Sequence, residues 1–356
     1  MVAEDEPSRA RRTWLRLPQS RPSEMTSVIE PSPDVLTPSV ELLTRVASLY
    51  HLQGMTQEEI AAKLGLSRPK VGRLLKQARD VGIVEITVHV HPSLAMPLES
   101  ELSSRFGLRV VVVSDQPDEA AQRAQVGKAA AIALDRLLID GATVAVGMGR
   151  NVKAVSEQAA GLRKRPCTVI SGIGGSAQVG EGLNSNDIAT RLADALGGRF
   201  EGVYAPAYVE STGVRDAFLG HADIGRTLSR ARNADIAIVG IGNAVPDSLV
   251  VRLGCISAEE MTRLSADGAV GDILGHFFNA DGAPIAEWIE QRVVGLTRDD
   301  LRLIPDVIAT ASEATKAPAI LGALQSGLIN TLVISVATAR GILTLVDTPP
   351  HRRSRP

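Results

Sequence analysis

Between residues 56 and 75 the caps, the turn and the apolar spacing agree on one local fold, two short helices joined by a tight turn. Thr56 can cap the first helix, with Glu59 three residues on to complete a capping box. Ile60, Ala61 and Leu64 fall on one face. Gly65 permits the positive backbone angle that a sharp turn requires. Ser67 can cap the second helix, and Pro69 is tolerated in its first turn, where N–H groups have no helical partner anyway. Val71, Leu74, Leu75 and Ala78 then recur on the inward side, leaving Ser67, Arg68, Lys70, Arg73 and Lys76 on or near the other. Gly72 is unexpected, since glycine inside a helix costs ~1 kcal/mol; close approach to DNA or to another helix would account for it. Upstream, Val40, Leu43, Val46, Ala47 and Tyr50 recur at three- and four-residue steps and predict a further helix with one apolar stripe.

A helix of this diameter with a cationic outer face fits the major groove of duplex DNA, with its N-terminal residues at the base edges. The expected DNA-facing residues are Gln57, Ser67, Arg68, Lys70 and Arg73. Residues 82–90 alternate polar and apolar like a strand, which would be the wing of a winged helix-turn-helix.

The net charge of −2 hides an asymmetry. Residues 1–34 carry five basic and six acidic side chains, residues 38–90 seven and five, and the tail after 350 three arginines. The body between is therefore at −6. An acidic body offers no broad face to phosphate backbones. DNA binding is expected to be confined to the small N-terminal unit, and two copies would strengthen it. Aromatic residues make up 3% of the chain, too few for a base-stacking platform on single strands. Cys167 and Cys255 stand alone, without metal or disulfide spacing, and read as small buried hydrophobes in a reducing cytoplasm. No apolar run approaches the ~18 residues of a membrane span, and no secretory signal follows the basic residues near Arg9.

Residues 1–34 mix Pro, Ser, Arg and Glu without periodicity and read as a disordered extension, with Met25 a second candidate start. The DNA-binding unit spans 35–90. Leu94, Leu98 and Leu102 predict an amphipathic linker helix over 91–106, suited to pairing protomers. From 107 to 350 short apolar strands alternate with helices. Strands are expected at 108–113, 143–147, 167–171, 235–240, 307–310 and 331–335, with an alanine-rich helix over 119–139. Continuous apolar strands separated by helices predict an α/β domain with a parallel sheet covered on both faces.

In such sheets ligands sit beyond the carboxyl ends of the strands. Gly147, Met148, Gly149, Arg150 and Asn151 join one strand to a helix start. Glycines let backbone N–H groups approach an anion there, and Arg150 and Asn151 can donate hydrogen bonds. Gly172, Ile173, Gly174 and Gly175 are placed to do similar backbone work after the next strand. Neither loop has dinucleotide-binding spacing, and the chain has no P-loop for nucleoside triphosphates.

These segments together resemble the SorC family of sugar-sensing transcription regulators, also called DeoR-type sugar-binding regulators. The resemblance covers roughly residues 40 to 346. It is carried by residues 55–75, 146–151, 172–175, 234–242, 268–273 and 316–324. It implies a C-terminal effector domain related in fold to ribose-5-phosphate isomerase and glucosamine-6-phosphate deaminase. It also implies a phosphorylated sugar as effector, and homo-oligomers, commonly tetramers, on double-stranded operator DNA. Carried over by position, it implies effector contacts from Gly149, Arg150 and Asn151, from Asp272 after the Gly-Ala-Val-Gly run, and from Lys316. Asn186 matches a polar position of the pocket, and Arg252 is a further candidate. The chain departs from the family twice. Ala311-Ser312-Glu313-Ala314-Thr315 stands where glycines usually precede the lysine, and Ser335-Val336-Ala337 where an Asp-Glu pair is usual.

The expected function is regulation of carbohydrate metabolism by DNA binding that a sugar phosphate modulates. No catalytic residue, metal or cofactor is expected. The alternative is a sugar-phosphate isomerase or deaminase carrying a DNA-binding unit. Such enzymes need an acid/base pair over the open-chain sugar. The Asp-Gly-Ala-Asp-Glu stretch and the glycine-loop lysine typical of ribose-5-phosphate isomerases are both missing.

Overall fold

The computed structural model describes residues 39–86, 92–176 and 182–348. The expected disordered extension, the tail after 350 and the last residues of the expected wing lie outside them. The chain divides into two compact units, residues 1–87 and 88–356.

The first unit holds helices α1 (Val40–His51), α2 (Gln57–Leu64) and α3 (Arg68–Asp80). The Thr56 N–H donates to Glu59 Oε2 at 2.8 Å, and the Glu59 N–H donates back to Thr56 Oγ1 at 3.3 Å, closing the capping box. Gly65 ends α2 at φ 63°, in the left-handed region that glycine enters without a Cβ clash. The core is Leu43, Val46, Ala47 and Leu49 from α1, Ile60 and Ala61 from α2, and Val71, Leu74, Leu75 and Ala78 from α3. The stripe of α1 is rotated from the expected one. Leu49 is buried, while Val40 is 70% exposed and Tyr50 lies at the surface. Ser67 stands at the N-cap of α3, but its hydroxyl makes no capping bond. A Cβ on Gly72 would lie 3.4 Å from Gln57 Oε1, an ordinary contact, so packing of α2 on α3 does not require the glycine. Residues 82–86 form a turn and irregular chain rather than the first half of a strand.

The second unit is built on a seven-stranded sheet. Its strands are β1 (Arg109–Val113), β2 (Thr143–Val146), β3 (Thr168–Ser171), β4 (Arg199–Glu201), β5 (Ile236–Gly240), β9 (Asp306–Thr310) and β10 (Thr331–Ser335). Their order is β1-β10-β9-β5-β2-β3-β4, and every pairing is parallel. Successive residues of one strand enter different cores. Leu332 and Ile334 of β10 join one apolar cluster with Ala237 and Val239, whereas Val333 joins another with Ile236 and Ile238. Both faces are therefore covered, which is why the strands read as continuous apolar runs. Three short strands, β6 (Gly242–Asn243), β7 (Gly271–Ile273) and β8 (His276–Phe278), form a separate antiparallel sheet that the sequence did not signal.

Helix α4 (Pro92–Phe106) lies against β1, with Leu102 fully buried and Leu98 partly buried in the main core of this unit. Arg105 ties it to Asp347 at 2.6 Å. Helices α5 (Glu119–Leu137), α6 (Arg150–Gln158) and α7 (Ser185–Leu196) follow β1, β2 and β3.

Candidate functional site

Chain order along the sheet reverses between β2 and β5. From β2 the chain runs to β3 and β4 on one side, while β5, β9 and β10 lie on the other. Loops leaving the two strands diverge at such a point and open a crevice outside their carboxyl ends. A cavity of about 320 Å³ lies there, within the ~300–1,000 Å³ typical of small-ligand sites. Three loops line it: Met148 to Asn151 after β2, Gly240 to Asn243 after β5, and Glu313, Thr315 and Lys316 after β9. Asp272, Leu274 and Gly275 from the small sheet close one side.

Gly149 has φ 112° and is the N-cap of α6, a backbone state that suits only glycine. The first-turn N–H groups of α6 therefore stand at the cavity wall without helical partners, the usual makings of an anion site. Arg150 and Arg252 line the cavity and carry no ion pair among the described residues. Asn151 is 5% exposed; its Nδ2 donates to Glu313 Oε2 at 3.0 Å. Lys316 Nζ lies 3.2 Å from the same oxygen and donates to the Ile241 carbonyl at 3.0 Å. Burial alone would raise the Glu313 carboxyl. The Lys316 charge and the bonds from Asn151 and Lys316 outweigh it and bring the group down to about 2. Asp272 behaves oppositely. Its burial pushes the carboxyl up, against the bond from the Gly275 N–H and the charges of Lys316, His276 and Arg298.

Leu274 and Gly275 form the two-residue turn between β7 and β8, at φ 51° and 83°. Such mirror-image turns suit hairpin twist, but leucine enters that region at a cost. The strained residue lines the cavity.

Four buried polar atoms here have no hydrogen-bond partner among the described residues: Asn151 Oδ1, the Tyr208 hydroxyl, Ser248 Oγ and Glu313 Oε1, the last 3.7 Å from Arg123. A buried polar atom left unpaired costs ~1–3 kcal/mol. Their concentration on one cavity marks a surface shaped for a polar ligand.

The structure thus brings together six expected residues, Gly149, Arg150, Asn151, Arg252, Asp272 and Lys316. It does not bring in the others. Gly147 donates its N–H to the Ile238 carbonyl at 2.9 Å, and a Cβ there would lie 2.8 Å from Leu274 Cδ2, so this glycine serves packing. The N–H groups of Gly172, Gly174 and Gly175 are bonded to the carbonyls of Val146, Val294 and Ala205, each at 2.8 Å. A Cβ on Gly174 would lie 2.5 Å from the Ala205 carbonyl oxygen. This loop passes close to neighbouring backbone, and its three glycine amides are already bonded. Asn186 accepts from Ser171 Oγ at 2.6 Å and from the Val203 N–H at 3.1 Å, so it braces β3 rather than facing the cavity. Sequence reasoning missed Glu313, Tyr208 and Ser248 as site residues. For Glu313 a signal existed, a lone acidic residue three positions before Lys316 at the end of an apolar strand. Tyr208 and Ser248 carried none.

On α3, Arg68, Lys70, Arg73 and Lys76 are all exposed. Arg68 lies 3.4 Å from Glu58, with both side chains about two-thirds exposed or more, so the pair is weak. Lys70, Arg73 and Lys76 have no ion pair among the described residues. Ser67 is exposed beside them, and Gln57 is half-buried at the start of α2. Among the described residues no helix is long and apolar enough to cross a membrane, and no group of three His, Cys, Asp or Glu could hold a metal.

Residues 90–344 match the Sugar-bind family of sugar-binding domains. The chain is 33% identical over 309 residues to the transcriptional regulator LsrR of Enterobacter sp. (strain 638), a match spanning 86% of this chain and 93% of that protein. Among solved structures, the sugar-binding domain of a transcriptional repressor from Vibrio fischeri is similar with a TM-score of 0.66 and 41% identity. That match covers 71% of this chain and 100% of that one. The full-length sorbitol operon regulator SorC of Klebsiella pneumoniae is similar with a TM-score of 0.68 and 28% identity, over 86% of this chain and 99% of that one. These relatives are regulators, not enzymes, and the matches to LsrR and SorC, at 86% of this chain, are longer than the second unit alone. The chain belongs to the SorC family of sugar-binding transcriptional regulators.

Proposed function

We propose that the protein binds double-stranded operator DNA through α3 and that a phosphorylated sugar in the cavity modulates that binding. In this reading the first unit acts as a winged helix-turn-helix. The second is an effector domain akin to the sugar-phosphate isomerase and deaminase folds, and the protein works as a homo-oligomer in the cytoplasm. The observation that carries it is the cavity at the sheet's reversal point, with unpaired polar atoms inside it and two unpaired arginines on its wall. The phosphate sits at the start of α6, against Arg150, Arg252 and the free amides. The hydroxyls meet Asn151, Tyr208, Ser248, Asp272 and Lys316. Ligand and DNA affinities then change each other by one common factor.

Calorimetry on sugars and their phosphates tests this. Hydrogen bonds to charged groups contribute ~1.5–3 kcal/mol each, so removing the phosphate is expected to cost more than about tenfold in affinity. Arg150→Ala is expected to weaken the phosphorylated ligand and to leave operator binding without ligand unchanged. Equal affinities for sugar and phosphate, or normal phosphate binding by Arg150→Ala, would show that the phosphate site lies elsewhere.

A further inference from the structure

Strand β4 ends the seven-stranded sheet, and among the described residues no strand pairs with its outer side. Along a parallel strand, successive residues turn their backbone groups to opposite neighbours. The Arg199 N–H bonds inward, to the Cys167 carbonyl at 2.8 Å. The N–H and C=O of Phe200 therefore face the open edge. Arg199 and Glu201 flank Phe200 and share one face of the sheet. Arg199 is exposed and has no ion pair among the described residues, while Glu201 lies 2.5 Å from Arg230.

An open edge is a template for another strand. This one is complementary to itself. A second copy turned about a two-fold axis at Phe200 runs antiparallel, and the two Phe200 residues exchange both backbone bonds. Arg199 of each copy then stands directly opposite Glu201 of the other, in the kind of pair whose side chains lie closest. A parallel copy in register would set Arg199 on Arg199 and Glu201 on Glu201. Charge therefore selects the antiparallel arrangement.

The surface beside this edge is apolar and uncovered. Helix α8 (Thr212–Gly220) has no buried residue, and nine residues with glycines at 213 and 220 draw little stability from their own helical bonds. A groove of about 1000 Å³ lies between α8, α9 (Ala222–Arg232) and the loop after β4. Its apolar wall is Tyr204, 75% exposed, with Val214, Ala217 and Phe218. Its arginines are matched within the chain, Arg230 by Glu201 and Arg226 by Asp223. It therefore offers no free cation to a nucleic acid. Two bodies at −6 repel each other, and a neutral apolar patch is where they meet at least cost.

We propose that β4 is a homodimer seam: two effector units join through antiparallel β4 strands, with Tyr204 and α8 of each copy covering the join. This rests on the homo-oligomer reading above and names the surface that makes it.

The test is sedimentation of the full chain over a concentration series, for the wild type, Arg199→Glu and Glu201→Arg. Each variant sets two like-charge pairs across the seam and is expected to weaken self-association by about tenfold or more. Mixed together, the two variants are expected to associate again, because every facing pair is then of opposite charge. Thermal unfolding confirms that the variants are folded. Should Glu201→Arg not fold, Arg199→Glu decides alone, since Arg199 has no ion pair to lose within the chain. Unchanged association by Arg199→Glu overturns the seam and leaves the homo-oligomer reading standing. Two variants that both dissociate and stay apart on mixing overturn the antiparallel pairing. A wild type that is monomeric at every concentration removes the homo-oligomer reading, and this proposal with it.

Discussion

A carboxyl that titrates at about 2 in the fold, against 4.5 for a free glutamate, ties stability to pH. Glu313 is such a group. Its folded pKa is depressed, so its contribution is present above about pH 4.5 and is lost as pH falls toward 2. The loss should be on the order of 3 kcal/mol. Asp272, with its carboxyl raised by burial, works the other way, since protonation favours the fold as pH drops. Comparing the wild type with Glu313→Gln cancels Asp272. Urea unfolding between pH 6 and pH 3 is expected to show the wild type losing stability more steeply than the variant. Parallel pH profiles would mean that Glu313 is not held ionised by Lys316 and Asn151. In the sequence Glu313 stood out as a lone acidic residue three positions before Lys316, in a segment where the family usually has glycines. Nothing local says that Asn151, 162 positions earlier, will bond to it, because that contact is made by β2 and β9 flanking β5. The opposite error concerns Gly174. A glycine run after a strand reads equally as an anion cradle or as a close backbone passage, and only the position of Ala205 decides.

At the scale of elements, α2 and α3 were legible because their signals are local. The capping box, the Gly65 turn and the inward positions Val71, Leu74, Leu75 and Ala78 lie within 23 residues and need no distant partner. The same locality leaves Arg68 and Arg73 on the outer face. Arg68→Ala and Arg73→Ala are each expected to weaken operator binding by ~1–3 kcal/mol if they read bases, with the effector unit unchanged. Gel-shift titration checks this, and normal affinity in both variants would take α3 out of the role of recognition helix. Helix α1 was read less well. Val40 and Tyr50 fit the periodic pattern as well as Leu49 does, and the choice is made by where α3 packs. Helix α4 was visible as an amphipathic segment, but its docking on β1 depends on a strand that closes the sheet's edge beside β10.

For the molecule as a whole, charge separates the two tasks. The body at −6 repels phosphate backbones, while one α3 covers a short half-site. Dimers or larger assemblies on paired half-sites are therefore expected. Analytical ultracentrifugation at micromolar concentration tests it; a monomer both with and without operator DNA would contradict the model of paired reading. The acidic body also means that salt should weaken DNA binding only as steeply as the few cations of the first unit allow.

The sequence by itself determined the helix pair, the alternation of buried strands and helices, and the family. All three rest on caps, turns and periodicities that act over a few residues, or on motifs read in order along the chain. The tertiary structure decided which loops form the cavity. Arg150, Asp272, Glu313 and Lys316 meet because the strand order reverses between β2 and β5. That order is set by packing across the whole sheet and leaves no mark on any one segment.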